Sequence, residues 1–290
     1  MGVKLTAKIP LIIAVVTGFA FAGATVTAQS NAARAKEHFE RAMSYRATDD
    51  PRAEEEFKQA IANRGGKYAE AWEGLSRYLT KSLRFKEAAA AWRKYLKQNN
   101  EKASPYDLDQ LKRLDRGALL KSRSDNGQVL TINEALELIN LVDGYGSKGD
   151  AVLYAEKAVQ LYPESGKALV ALSRLIEREQ QDRAWELLNR AIAFGPNDPT
   201  FYVARGRYFF WVRGNSPAAS ADFRKAIELS DGTNASAWAG LGDSLAREGH
   251  RDEAIEAYRM YLSIRPKSAA HYDGEIRKSI ELLESGPSKP

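Results

Sequence analysis

The chain has 290 residues, a net charge of +5 and no cysteine, which excludes disulfides, thiolate metal sites and cysteine nucleophiles together. Its length is enough for a sizeable core. Two of the basic residues, Lys4 and Lys8, fall within residues 1–28, which carry no acid; the remainder has a net charge of +3, too mild to argue for nucleic acid.

Lys4 and Lys8 precede an apolar run from Ile9 to Ala22, small residues follow, and Val26-Thr27-Ala28 closes the stretch. A basic start, an apolar middle and a small-x-small end are the three parts of a secretory signal. Cleavage after Ala28 is expected, giving a periplasmic or secreted chain that starts at Gln29. The alternative is an uncleaved anchor, since Ile9 to Ala28 is about 20 residues, barely enough to span a bilayer. Pro10, Thr17 and Gly18 weaken the run in that role. Under either reading the rest of the chain lies outside the cytoplasm.

Helical periodicity dominates from about residue 32. Phe39, Ala42 and Tyr45 form a first apolar stripe, and Asp50-Pro51 starts a second helix, because aspartate caps free N–H groups and proline suits the first turn. The same device stands at Ser104-Pro105, Asp198-Pro199 and Ser216-Pro217. Tyr68 to Asn100 repeats the pattern through Trp72, Leu75, Ser76, Ala88 and Trp92. An interruption over 101–130 begins with a helix near 104–121 carrying Leu108, Leu111 and Leu114, which are expected to pack. A polar loop, Ser122 to Gly127, follows. Thr131 and Glu134 make a capping box for the next helix. Helix pairs then fill 131–163, 165–196, 198–231 and 234–268. A last helix carries Tyr272, Ile276, Ile280 and Leu283 on one face and ends in a frayed tail at 286–290.

A spacing of four, three and five residues links the second helices: Ala254–Tyr258–Tyr261–Pro266, Ala219–Phe223–Ala226–Asp231, Ala184–Leu188–Ala191–Pro196, Ala151–Ala155–Ala158–Pro163, Ala88–Trp92–Tyr95–Asn100 and Ala53–Phe57–Ala60–Gly65. From Ala53, successive leading alanines lie 35, 63, 33, 35 and 35 residues apart. A period near 34 with one double-length gap, together with Trp238, Leu241-Gly242, Gly249, Ala254, Tyr258 and Pro266, resembles the tetratricopeptide repeat. The resemblance covers roughly residues 32–268. It implies an all-α, right-handed superhelical solenoid of helix–turn–helix repeats. Repeats one and two would occupy 32–100, the inserted helix and loop 101–130, repeats three to six 131–268, and a capping helix 269–285. Small Gly242 and Ala254 would sit where two helices touch. Trp72 and Trp238 would fill the space between the helices of their own repeats.

Few residues offer chemistry. Gly144-Tyr145-Gly146-Ser147-Lys148-Gly149 spells the dinucleotide fingerprint, but that motif needs a strand before it, and a helix is expected there. His38, His250 and His271 lie too far apart for a metal trio. Neither an enzyme activity nor a cofactor is expected.

In the resembled family the first helices line a concave groove that holds partner segments. The groove positions, the residue after the small one and the residue four further on, share a helical face. They are Arg77 and Lys81, Arg174 and Arg178, Arg207 and Trp211, and Asp243 and Arg247. Six of these eight are basic. The resemblance therefore implies a protein or peptide partner that is acidic or carries a carboxylate, with Arg174, Arg178, Arg207 and Trp211 forming one patch. Membrane contact would arise only through an uncleaved N-terminus. One reading is an exported interaction module for a segment of another envelope protein. The other is an assembly factor or scaffold of a secretion or polysaccharide-export machine, tethered by an uncleaved N-terminus.

Overall fold

The computed structural model describes residues 10–99, 103–265 and 273–286, with side chains from residue 29 onward. Among the described residues there are fourteen helices and no strand. They divide into two compact units, Met1–Gln128 with Tyr145–Ser147, and Val129–Gly144 with Lys148–Pro290.

The first unit holds α1 (Pro10–Ala47), α2 (Arg52–Asn63), α3 (Ala69–Lys81), α4 (Phe85–Gln98) and α5 (Pro105–Asp125). Helix α1 runs without a break through the expected cleavage point. Residues 1–9 and the side chains of 10–28, on which the signal rests, lie outside the described residues. No helix among the described residues is long and apolar enough to cross a membrane. Asp50 accepts from the Arg52 N–H at 2.9 Å and so starts α2. Ala53, Phe57 and Ala60 are all buried. The Phe57 ring lies against Gly74 of α3, where a Cβ would fall 2.4 Å from it.

Helices α3 and α4 are joined by the Ser76 hydroxyl, which donates to the Ala88 carbonyl at 2.7 Å. Trp92 is fully buried, and its indole N–H donates to the Asp107 carbonyl at 2.9 Å, tying α4 to α5. Ser104 and Asp107 cap α5 reciprocally. That helix is longer than its leucines predict. It reaches Asp125, because Ser124 is buried and Lys121 pairs with Asp125 one turn on. The expected loop shrinks accordingly. Leu114 and Leu120 are buried with Gly117 and Ser124 between and beyond them, whereas Leu108 lies off that stripe and stays 51% exposed.

The second unit holds α6 (Ile132–Gly144), α7 (Lys148–Leu161), α8 (Gly166–Ile176), α9 (Gln181–Phe194), α10 (Pro199–Trp211), α11 (Ser216–Leu229), α12 (Ala235–Glu248), α13 (Arg251–Ile264) and α14 (Asp273–Ser285). Thr131 and Glu134 form the capping box before α6, each accepting the other's backbone N–H at 3.3 and 3.0 Å. Asp198 caps α10 through the Thr200 N–H at 2.9 Å. At α11 the cap stands one residue before the expected Ser216. Asn215 accepts from the Ala218 N–H at 3.1 Å, and the Ser216 hydroxyl is buried with no partner. An Asn side chain is among the best N-caps, so it takes the position.

Each leading alanine of the second helices, Ala53, Ala88, Ala151, Ala184, Ala219 and Ala254, is completely buried. The larger residues four positions on sit against small partners. Phe223 lies against Gly206 of α10 and Gly240 of α12, and Tyr258 lies against Gly242. Phe210, Phe223, Leu241, Leu245, Ala254 and Ala257 share one core cluster.

Trp72 and Trp238 depart from expectation. Both are only half-buried. Their indole N–H groups donate to the carbonyls of Gly66 at 3.0 Å and Gly232 at 2.8 Å. Those glycines have φ of +81° and +77°, a left-handed conformation that glycine adopts without strain. Each tryptophan thus clasps the turn that enters its repeat. The space between the helices belongs to the aromatic residue of the second helix. In α14, Ile276, Ile280 and Leu283 form a half-buried face and no residue is fully buried. Asn100, Pro266, His271 and Tyr272 lie outside the described residues.

Candidate functional site

In the second unit the first helices of successive repeats touch in order, α6 on α8, α8 on α10 and α10 on α12. Small residues just before Arg174, Arg207 and Asp243 face the second helix of the same repeat. Ser173 is buried, and Gly206 and Gly242 leave no room for a Cβ beside Phe223 and Tyr258. The next residue on each helix is thereby turned away from the second helix, and this fixes where the eight expected groove residues stand.

Arg77 and Lys81 belong to the first unit, the other six to the second. Arg77 donates to Glu73 at 2.8 Å on its own helix, and its guanidinium stands 6.0 Å from the centre of the Trp92 ring. Lys81 is paired with Asp49 at 2.5 Å. Arg174 reaches back to α6, donating to Asp143 at 2.9 Å and Asn140 at 3.3 Å. Arg247 donates to the Phe210 carbonyl at 3.1 Å and lies 3.6 Å above the centre of the Phe210 ring. Four of the six cations are therefore already engaged within the chain.

Arg178 and Arg207 are exposed, and among the described residues neither side chain has a hydrogen-bond or ion-pair partner. Trp211, one turn beyond Arg207, is 66% exposed and meets Phe210 edge to face at 4.8 Å. Arg247 stands 6.0 Å from the centre of its ring. Asp243 behaves differently from its neighbours. It is half-buried and accepts from the Tyr258 hydroxyl at 2.8 Å. Burial pushes its carboxyl above the ordinary aspartate value, against the opposing pull of the Tyr258 hydroxyl and Arg247.

Two groups that repeat spacing does not single out matter here. Glu177 caps the C-terminus of α8 between Arg174 and Arg178, half-buried, and burial raises its carboxyl despite the attraction of Arg207, Arg178, Arg174 and Lys148. It is an internal counter-charge for the bare arginines. Beneath the aromatic helix, Arg205 grips the buried Asp222 with two hydrogen bonds at 2.7 and 2.8 Å and Asn189 with a third at 2.8 Å. Arg205 also faces Trp185 and Tyr202 at 5.6 and 5.8 Å. This network locks α10 to α9 and α11, so the exposed part of α10 stands on a fixed base. The Gly144–Gly149 run forms the α6–α7 turn, with Gly146 at φ +87° and a helix, not a strand, before it.

Residues 210–269 match the family model of the tetratricopeptide repeat. The chain is similar to the small glutamine-rich tetratricopeptide repeat-containing protein 2 of Mycosarcoma maydis, 30% identical over 132 residues, 46% of this chain and 35% of that protein. It thus spans about a third of the length of the curated relative it matches. Among solved structures, a tetratricopeptide repeat protein from Parabacteroides merdae is 17% identical, with a TM-score of 0.49 over 87% of this chain and 99% of its own. A tetratricopeptide repeat protein of Thermus thermophilus is 16% identical, with a TM-score of 0.48 over 74% of this chain and 100% of its own. The match runs from the end of α10 past α13, so this part of the chain is a tetratricopeptide repeat segment, and the helices before it are paired in the same way.

Proposed function

We propose that this chain is an exported interaction module that holds an extended, acidic or carboxylate-bearing segment of another envelope protein on the α8–α10–α12 face. One observation carries the reading: Arg178, in the turn that ends α8, and Arg207 on α10, which touches α8, are exposed and unpaired among the described residues, and Trp211 one turn beyond Arg207 is exposed as well. Two guanidiniums offer bidentate geometry to carboxylates, and the indole packs against an apolar side chain. Arg174 and Lys81 are weaker candidates, because each would first have to leave its own aspartate.

The test is Arg178→Glu with Arg207→Glu. The partner captured from an envelope fraction by the parent should be lost, with helical content and melting temperature nearly unchanged. Each exposed pair is worth about 0–1 kcal/mol, so the double change is the useful one. Capture that survives it, and does not weaken from low to high salt, rules out this face. Export has its own check: intact mass of the exported chain should begin at Gln29. In the tethered-scaffold reading residues 1–28 stay on the chain, and their retention in a membrane pellet would select it.

A further inference from the structure

One end of the first unit carries a basic cluster that the groove does not use. Lys67, Lys94 and Lys97 line an open cavity of about 620 Å³ with Gly65, Gly66, Trp72 and Gln98. Arg64 stands next to it, 5.1 Å from the centre of the Tyr68 ring. The arrangement is fixed from within. Trp72 Nε1 and Gln98 Nε2 both donate to the Gly66 carbonyl, at 3.0 and 2.8 Å, and so bind the end of α4 to the α2–α3 turn. Among the described residues none of the three lysine side chains has an ion-pair or hydrogen-bond partner. Elsewhere in the unit Arg41, Arg52, Lys58, Arg77, Lys81 and Arg84 each have an acid.

The position of this cluster follows from how α1 and α2 pair. His38 meets Glu56 at 2.7 Å, and Phe39 meets both Phe57 and Tyr68, at 6.1 and 5.2 Å. The helices are antiparallel, so the α2–α3 turn lies beside the part of α1 preceding His38. The N-terminal half of α1 leaves the unit at this same end. From Pro10 to Ala28 its sequence holds no charged residue. An uncharged apolar segment, a group of bare ammoniums and an indole thus share one end of the unit. Compact ammonium groups suit phosphate as point charges, and tryptophan favours the boundary between headgroups and acyl chains.

We propose that this end of the first unit, Lys67, Lys94 and Lys97 around Trp72, docks on an anionic phospholipid bilayer. None of these residues belongs to the groove. Lysines near an anionic surface contribute roughly fivefold each to binding, so three acting additively give on the order of a hundredfold.

The experiment uses the full chain with two kinds of vesicle, phosphatidylcholine alone and phosphatidylcholine with phosphatidylglycerol. The full chain keeps residues 1–28, whose apolar segment gives binding to both, whereas a chain that starts at Gln29 should keep only the response to phosphatidylglycerol. Phosphatidylglycerol should add a salt-sensitive increment, which Lys67→Gln, Lys94→Gln and Lys97→Gln together should lower at least tenfold while leaving binding to phosphatidylcholine alone intact. Arg178→Gln with Arg207→Gln should keep the increment. Equal binding to both vesicles, an increment that survives the triple change, or one lost only with the groove arginines would overturn the proposal. So would equal vesicle binding combined with loss of an acidic protein in the triple variant, which would assign the cluster to a protein instead.

Discussion

Phe223 is 1% exposed, and its ring is pinched between two glycines on neighbouring first helices. A Cβ added at Gly240 would stand 2.4 Å from Cζ of that ring, and one at Gly206 would stand 2.9 Å from Cε1. Alanine in a helix interior is intrinsically better than glycine by roughly 1 kcal/mol. Overpacking a filled core costs typically about 1–3 kcal/mol. The upper half of that range applies at Gly240, because moving the ring away from it drives the ring into Gly206. Gly240→Ala should therefore lose about 1–2 kcal/mol net. Gly149, near the start of α7, has nothing within 4 Å of a Cβ, so Gly149→Ala should instead gain up to about 1 kcal/mol.

The sign reversal between two chemically identical substitutions is the measurement. Urea unfolding followed by far-UV circular dichroism reads it, with comparison restricted to the transition that the second unit dominates, since repeat arrays need not unfold as one unit. Phe223→Leu removes the ring atoms that the new methyl would strike. In that background Gly240→Ala should turn neutral or stabilising, a coupling of about 1–2 kcal/mol. A Gly240→Ala chain as stable as its parent, or one with no coupling to Phe223→Leu, would refute the claim that ring-on-glycine contacts set the stacking of α10 on α12.

Trp92→Ala should cost about 3–5 kcal/mol, the range for a buried aromatic, and a loss under ~1 kcal/mol in chemical denaturation would contradict its burial. Trp72→Phe and Trp238→Phe keep a ring but remove the N–H that holds a glycine carbonyl, so each should cost about 1 kcal/mol and speed amide exchange in the turn it clasps. Equal losses in all three would mean that the turn-clasping role is mistaken. Asp243 supplies a pH test. Its folded-state carboxyl is raised by burial, so its contribution favours the protonated form and is lost as pH climbs from the ordinary aspartate value through the raised one. Asp243→Asn keeps an acceptor for Tyr258 and should be the more stable chain at neutral pH in thermal melts, with the advantage fading below the ordinary aspartate range. An advantage that grows as pH falls would show the sign to be wrong.

The helical framework was legible because it rests on local rules. Leading alanines recur near a 34-residue period, and each is buried because a second helix permits nothing larger at its closest approach. Caps were legible for the same reason, except at α11, where Asn215 and Ser216 both qualify and only the turn geometry decides. Helix α5 was read short, since polar Ser122–Asp125 looks like loop until the burial of Ser124 is known. The tryptophans were misplaced because repeat spacing assigns a face and not a hydrogen-bond partner. The indole reached the glycine carbonyl six residues back. At the candidate site, spacing assigned faces to eight residues but could not tell which cations were occupied. Asp143, Asp49 and Glu73 decide that, and two of these belong to the preceding repeat. Glu177 and Asp222 were invisible for the related reason that a carboxylate in a helical sequence reads as solvated until burial is seen.

Surface ion pairs between neighbouring helices recur through the second unit. Lys148 meets Glu179, Arg174 meets Asp143, Arg183 meets Glu156 and Arg224 meets Glu253, at 2.7 to 2.9 Å. All are substantially exposed, so each adds little to stability. Their larger effect is subtractive: each occupies a cation that could otherwise meet a partner, Arg174 of the groove among them. What is left bare on the groove face is Arg178 and Arg207, close to the half-buried Glu177. A ligand carboxylate that takes these arginines competes with Glu177, which is already costly to keep ionised where it sits. Binding of an acid should therefore favour protonation of Glu177, and the affinity should rise as pH falls toward the range in which Glu177 titrates. With Glu177→Gln the internal competitor is gone, so the same ligand should bind more tightly at neutral pH and with less pH dependence. A Glu177→Gln chain that binds more weakly than its parent would mean that Glu177 contacts the ligand and that the face reads a cationic group as well as an acidic one.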